Sequence, residues 1–178
     1  PICVPSRMSM LSGRYPHENE VWTNSHMLDS GIPTFAHAMG AGGYRPVLVG
    51  RMHSVGPDQL HGYVERLVGD HGANRSGVKD NGGHGAGGAG PTRSSLQQSG
   101  HGQSAYQVHD EDVTAATIHY LDRLGVQKRA GQSAEPFSLS VGFMLPHQPF
   151  IARREDYERY FHTVPPPQTL QAFGEHLH

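Results

Sequence analysis

The chain of 178 residues has a single cysteine, a single tryptophan and an almost balanced charge. One cysteine excludes a framework of disulfides within the chain. No apolar stretch approaches the roughly 18 residues that a membrane-spanning helix requires, and no signal peptide is visible. The formal net charge is -2, so there is no electrostatic reason to expect a nucleic acid or an acidic membrane surface as a partner.

The one cysteine lies in the most informative segment, residues 3–14, with the sequence CVPSRMSMLSGR. Pro5 suits the first turn of a helix, so we predict a helix over about residues 5–11 whose N-terminus points at Cys3. Free backbone N–H groups and the helix dipole would then face a bound anion. Arg7 lies one turn after Cys3, so its guanidinium can return over the same face. The ordinary alternative for a lone cysteine is an inert, buried thiol.

This segment resembles the C-x-P-S-R-x-x-x-L-[S/T]-G-R motif of the sulfatases, and every fixed position of that motif is present. The resemblance implies that a formylglycine-generating or anaerobic sulfatase-maturating enzyme oxidises Cys3 to Cα-formylglycine. A hydrated aldehyde offers two hydroxyl groups, one to attack sulfur and one to expel sulfate afterwards. The resemblance therefore implies a small-molecule sulfate ester as the substrate.

Helix and strand patterns alternate along the chain. The predicted helices cover residues 35–39, 110–124 and 153–161, and the predicted strands cover residues 44–50 and 137–143. Gly40 and Gly125 are expected to end the first two helices. This order predicts an α/β fold with parallel strand pairs. The resemblance implies part of the alkaline-phosphatase-like sandwich, a largely parallel sheet flanked by helices.

Residues 69–103 differ from the rest in their content of Gly, Ser and His. Such a composition cannot form a packed core, so we expect a flexible insertion there. The chain begins with Pro1 rather than an initiator methionine. We therefore expect residues 1–178 to be the central part of a sulfatase catalytic domain, inactive as this piece alone.

Two histidine motifs follow predicted strands, where an open α/β sheet places its chemistry. Residues 50–53 resemble the G-K-x-H segment of sulfatases, with Arg51 replacing the lysine, and the G-P-D-Q-L-H-G run that follows is similar to the choline-sulfatase-like branch. Residues 146–150 resemble the P-H-x-P-[F/Y] segment. The resemblance implies that Arg51 holds ester oxygens, that His53 assists elimination of sulfate, and that His147 protonates or polarises the leaving group. Arginine keeps the charge of lysine but changes its geometry.

The remaining histidines have a simpler interpretation as surface or hydrogen-bonded polar residues. We assign this interpretation to six histidines: His37, His61, His101, His109, His119 and His162. Asn24 has two interpretations of equal weight. In the choline-sulfatase and phosphonate-hydrolase branches an asparagine at about this spacing contacts sulfuryl or phosphoryl oxygens, but Asn24 also suits a turn or a helix cap.

Sulfatases bind a divalent cation, usually calcium, through acidic residues before the modified cysteine and after the second histidine motif. The resemblance implies that residue 3, as formylglycine, is one ligand and that the others lie outside this chain. Residues 70–72, with the sequence Asp-His-Gly, are similar to the D-H-G element that sulfatases carry after the second histidine motif. They precede the second histidine motif, so we interpret this match as coincidence.

The sequence thus favours a sulfuric ester hydrolase that uses formylglycine as its nucleophile. Two alternatives stay open. One is a phosphonate or phosphate ester hydrolase of the same superfamily, and the other is a truncated, noncatalytic sulfatase-like protein. The choline-sulfatase-like run favours a cytoplasmic enzyme over a secreted or periplasmic one, and homo-oligomerisation is left open.

Overall fold

The computed structural model describes residues 2–71, 92–132 and 135–165, which form six helices and five strands. The helices are α1 (Cys3–Ser12), α2 (Pro16–Asn19), α3 (Phe35–Ala41), α4 (Arg93–Gln97), α5 (Ala105–Arg129) and α6 (Arg154–Phe161). The strands are β1 (Arg45–Gly50), β2 (Glu65–Arg66), β3 (Gly100–His101), β4 (Phe137–Gly142) and β5 (Ile151–Ala152). No helix among these residues is long and apolar enough to cross a membrane.

The main sheet has the order β2-β1-β4, and both strand pairs are parallel. Leu48 of the central strand packs on one face of the sheet against α1 and α3, through residues that include Met8 and Ala36. Its neighbours Val47 and Val49 pack on the other face against α5, through Val113 and Tyr120. Burying each such aliphatic side chain contributes about 1.5–3 kcal/mol. Helices thus cover both faces of a parallel sheet, which confirms the predicted fold class.

Helix α5 is longer at both ends than the sequence predicted. It begins at a capping box in which Ser104 Oγ accepts the Gln107 N–H and the Gln107 side chain accepts the Ser104 N–H. The predicted end at Gly125 is wrong, because one internal glycine costs only about 1 kcal/mol and strong helix formers follow it. The turn at Gly131, with a φ of 72°, follows the actual end of the helix.

Part of the predicted insertion has regular structure. Helix α4 and strand β3 both lie within residues 69–103, and β3 pairs in parallel with β5. The side chain of Thr92 caps α4 by accepting the N–H of Ser95 at 3.1 Å. The Gly-rich residues 72–91 lie outside the described residues, so the flexible insertion stays a prediction.

The carboxyl ends of β1 and β4 meet at two glycines that pair in register, Gly50 and Gly142. A Cβ on Gly50 would overlap the carbonyl oxygen of Gly142, and a Cβ on Gly142 would overlap that of Arg51. Gly50 also has a φ of 85°, which side chains rarely adopt. This close approach brings the segments after the two strands, including Arg51 and His147, to one edge of the sheet.

Candidate active site

Helix α1 starts at Cys3, and Asn24 fixes its first turn. Asn24 Oδ1 accepts the N–H of Val4 at 2.9 Å, while the N–H of Ser6 donates to a backbone carbonyl at 3.1 Å. Pro5 has no N–H to offer. The predicted set of free amide donors at this terminus is therefore reduced, and an anion beside Cys3 depends more on side-chain cations than the sequence indicated.

The hydrogen bond from Val4 bears on the two interpretations of Asn24. It supports a capping role that holds the N-terminus of α1, and with it Cys3, in place. Because Oδ1 is engaged, Nδ2 is the part of the side chain that can donate to a bound oxygen. Contact between Asn24 and a substrate stays a prediction.

Arg7 interacts electrostatically with Cys3 and with a second arginine, Arg51, which comes from a different element. Burial, followed by the positive charge of Arg51, lowers the pKa of Arg7, while the nearby Asp70 and Cys3 act in the opposite direction. Arg51 is itself only 8% exposed. Like charges at close range in a partly buried site repel each other, so an anion between them relieves the repulsion. The cluster is therefore suited to a sulfate or phosphate group.

His53 is held by contacts that define its proton position. Arg51 Nη2 donates to His53 Nδ1 at 2.9 Å, so neutral His53 carries its proton on Nε2. Burial and then Arg51 lower the pKa of His53 from 6.5 to about 4. His53 is thus a neutral hydrogen-bond donor near pH 7, and this geometry favours hydrogen-bond donation through Nε2 over proton acceptance.

Asp70, whose match to a sulfatase element the sequence analysis interpreted as coincidence, lies beside His53 and Arg7. Its Oδ2 accepts the backbone N–H of His53 at 2.9 Å and a guanidinium N–H of Arg66 at 2.9 Å. His53 has a φ of 62°, so these bonds hold it in an uncommon backbone conformation. Asp70 follows β2, a strand of two residues that the sequence did not predict, so its position at the carboxyl edge of the sheet emerged only from the structure.

His147 carries its proton differently from His53. Its Nδ1 donates to the carbonyl oxygen of Gln148 at 2.7 Å, so Nε2 is the atom that can exchange a proton. The ring of Tyr106 packs edge-on against the His147 ring at 5.7 Å between centroids. The charge of His147 also contributes to the lowered pKa of His53. The two histidines are therefore close enough to interact electrostatically.

The other histidines agree in part with their predicted roles. His109 is buried and hydrogen-bonded through both ring nitrogens, and His119 and His162 are exposed. His61 is different. It is 2% exposed, and neither ring nitrogen has a hydrogen bond of normal geometry among the described residues, although Nδ1 lies 3.2 Å from Asp58 Oδ2. Burial lowers the pKa of His61 and favours its neutral form.

The described residues do not build a calcium site by themselves. No group of three or more His, Cys, Asp and Glu side chains among them could hold a metal ion. Asp70, the carboxylate that interacts with Arg7, is already bonded to Arg66 and to the backbone of His53. Calcium binding therefore stays a prediction that depends on further ligands.

A family model of the sulfatases matches residues 1–178. The chain belongs to the sulfatase family. It is 34% identical over 164 residues to the choline-sulfatase of Rhizobium meliloti (strain 1021), which covers 90% of this chain and 32% of that protein. It is 30% identical over 159 residues to the arylsulfatase K of Xenopus laevis and 28% identical over 152 residues to that of Bos taurus, each match covering 83% of this chain and 24% of the relative. The chain thus spans about a third or less of these sulfatases.

The structure brings the predicted catalytic residues of this sulfatase chain together. Electrostatic interactions connect Arg7 to Cys3 and Arg51, and connect His53 to Arg7, Arg51 and His147. The residues come from the start of α1 and from the segments after β1 and β4. Their assembly follows from the parallel sheet, because the carboxyl ends of parallel strands share one edge.

The lowered pKa of His53 leads to a prediction about acid stability. The unfolded chain binds more protons than the folded one between about pH 6.5 and pH 4, so stability falls as the pH falls through this range. His53→Asn should reduce that fall, since asparagine keeps an acceptor for Arg51 and tolerates a positive φ. Denaturant unfolding at pH 7 and pH 5 measures the effect, with the exposed His119→Asn as control. Equal acid sensitivity of His53→Asn and the native protein would contradict the assignment.

Proposed function

We propose that this sulfatase hydrolyses sulfate monoesters by S–O cleavage, with Cys3 oxidised to Cα-formylglycine as the nucleophile. The observation that supports it most strongly is the position of Arg7, which interacts electrostatically with both Cys3 at the start of α1 and the buried Arg51. A sulfate ester carries a negative charge that these two cations can share. The proposal concerns the complete enzyme, because the chain spans 32% of the related choline-sulfatase.

In this proposal the arginines bind the ester and orient its sulfur toward residue 3. Arg51 is fixed by its bond to His53 Nδ1 and by a contact with Met144 Sδ, so its remaining donors are held in a defined direction. His53 adds a neutral donor through Nε2–H. Donors that are fixed before the reaction stabilise charge without reorganising during it. Assistance by His53 in sulfate elimination stays a prediction, which the bond to Arg51 at Nδ1 disfavours.

His147 acts on the leaving group. The hydrogen bond from its Nδ1 to the Gln148 carbonyl is compatible with both the neutral ring and the imidazolium. Nε2 can therefore hold a proton and pass it to the ester oxygen as the S–O bond breaks. The neighbouring Tyr106 ring, which packs edge-on against the imidazole, limits its rotation.

Two groups complete the proposed site. A hydrated formylglycine at residue 3 supplies two hydroxyl groups on one carbon, and a formylglycine-generating or anaerobic sulfatase-maturating enzyme would produce it. A divalent cation, Ca²⁺ by the resemblance to other sulfatases, would neutralise further negative charge. Residue 3 would be one of its ligands, and the remaining ligands would come from outside the described residues.

The nearest rival is a phosphonate or phosphate ester hydrolase, because those substrates present a similar arrangement of charged oxygens. Steady-state kinetics of the complete, matured enzyme on sulfate, phosphonate and phosphate esters with the same leaving group separate the two. We expect the highest kcat/KM for the sulfate ester. A higher kcat/KM for the phosphonate or phosphate ester would favour the rival, and no turnover of any ester would favour a noncatalytic protein.

A further inference from the structure

The second turn of α5 contacts both loops that carry the site. His109 Nε2 donates to the carbonyl oxygen of Gly69 at 2.9 Å. The next residue, Asp110, accepts the backbone N–H of Met144 at 2.7 Å through Oδ1 and that of Leu145 at 2.9 Å through Oδ2. The two side chains also contact each other, with His109 Nδ1 3.0 Å from Asp110 Oδ1. Two adjacent residues thus join three separate parts of the chain.

Each of the two loops accepts a hydrogen bond from the backbone N–H of one site histidine. Gly69 immediately precedes Asp70, which accepts the backbone N–H of His53. On the other loop, the carbonyl oxygen of Met144 accepts the backbone N–H of His147 at 3.0 Å. A shift of either loop relative to α5 would therefore change the distance between the two imidazoles.

We propose that His109 and Asp110 are a positioning pair that sets the geometry between His53 and His147. The proposal rests on the proposed function, because it assigns the pair a role in the same reaction. The exposed fractions of the two side chains are 8% for His109 and 14% for Asp110. Hydrogen bonds between a shielded carboxylate and backbone N–H groups are stronger than neutral ones, so the pair can hold the loops within a narrow range of positions.

The hydrogen-bond pattern requires a carboxylate at position 110. Both oxygens of Asp110 accept backbone N–H groups, and Nε2 of His109 donates to the Gly69 carbonyl. An asparagine at position 110 keeps the shape but presents its NH₂ group to one of the backbone N–H groups. That leaves one part-buried backbone N–H without its acceptor, which weakens the contact between α5 and this loop. Asp110→Asn is therefore a small change that should release the loop carrying His147.

The kinetic test uses the complete, matured enzyme and two sulfate esters, one with a poor and one with a good leaving group. We expect Asp110→Asn to lower kcat on the poor leaving group by about 10²-fold, the scale of a 1 Å misplacement, with a much smaller loss on the good one. Asp112→Asn is the matched control, because Asp112 is an exposed aspartate on the same helix. Equal losses on the two esters would overturn the proposal.

A double-mutant cycle separates positioning from a general structural defect. If Asp110 acts through His147, adding Asp110→Asn to His147→Ala should change kcat by less than about 3-fold. Full additivity of the two losses would contradict a role through His147. His109→Gln, which keeps one N–H donor for the Gly69 carbonyl, should retain more activity than His109→Ala.

Hydrogen exchange distinguishes failure of this proposal from failure of the proposed function. In the complete protein, Asp110→Asn should accelerate exchange of the Met144 and Leu145 amides, and Asp112→Asn should not. Unchanged exchange at both amides would overturn the positioning pair even if the enzyme hydrolyses sulfate esters. Accelerated exchange in a protein that turns over no sulfate ester would refute the proposed function and leave the pair as the contact that holds this loop.

Discussion

Cys3→Ala should lower kcat on sulfate esters by about 10⁴-fold or more in the complete enzyme, a loss of the size expected when a nucleophilic catalyst is removed. Alanine cannot be oxidised to formylglycine, so both hydroxyl groups of the proposed nucleophile are lost. The substrate-binding arginines stay in place, and KM should therefore change much less than kcat. Turnover of an activated sulfate ester and binding of inorganic sulfate measure the two effects separately.

Met10→Ala is the matched control for this variant. Met10 lies on the same helix, is 59% exposed and occupies a variable position of the sulfatase motif. It should keep both turnover and sulfate binding. Retention of more than about a tenth of the native kcat by Cys3→Ala, with unchanged thermal stability, would contradict nucleophilic catalysis at residue 3.

His147→Ala should slow poor leaving groups by about 10²–10⁴-fold, the usual contribution of general acid catalysis. Nitrophenyl-type esters should be affected far less, because their oxygen needs little protonation as the S–O bond breaks. The physical basis is the bond from Nδ1 to the Gln148 carbonyl, which leaves Nε2 as the proton carrier. The measurement is the dependence of kcat/KM on leaving-group pKa, which should be steeper for the variant.

His119→Ala controls for the loss of a histidine, because His119 is exposed on α5. It should leave both the rate and its dependence on the leaving group unchanged. Equal losses of His147→Ala on good and poor leaving groups, with folding intact, would reject the acid role and leave His147 as a sulfate-binding residue.

The sequence predicted those features that depend on local spacing or on a simple rule of topology. Arg7 lies one turn after Cys3, so the two share a helix face once α1 forms. Arg51 and His147 follow strands that pair in parallel, and parallel strands present their carboxyl ends at one edge. These relations need only secondary structure and strand direction, so the central site could be assembled before any contact was known.

The features that the sequence missed depend on contacts across the fold. Asp70 joins the site through the N–H of His53, 17 residues away, and Asp110 reaches Met144 across 34 residues. Nothing in the local sequence of either aspartate specifies such a partner. Contacts across the fold also explain in part why α5 continues through Gly125. Burial of Val113 and Tyr120 against the sheet stabilises this helix beyond its local propensity.

The proton positions of the two histidines also required the structure. His53 and His147 look alike in the sequence, each near the end of a strand and within a short motif. Their Nδ1 atoms differ, because one accepts from Arg51 and the other donates to the Gln148 carbonyl. Because of this difference, the two histidines have different proposed roles: His53 is a neutral hydrogen-bond donor, and His147 is a proton carrier.

Peptide mass spectrometry across Cys3 tests the central proposal most directly. The complete protein is co-expressed with a formylglycine-generating enzyme, digested, and compared with protein made without it. We expect a peptide about 18 Da lighter than the thiol form, the difference between CH₂–SH and CHO, and an aldehyde that reacts with a hydrazine probe. A peptide that keeps the unmodified thiol under these conditions, with a known sulfatase converted in parallel, would contradict the proposed mechanism.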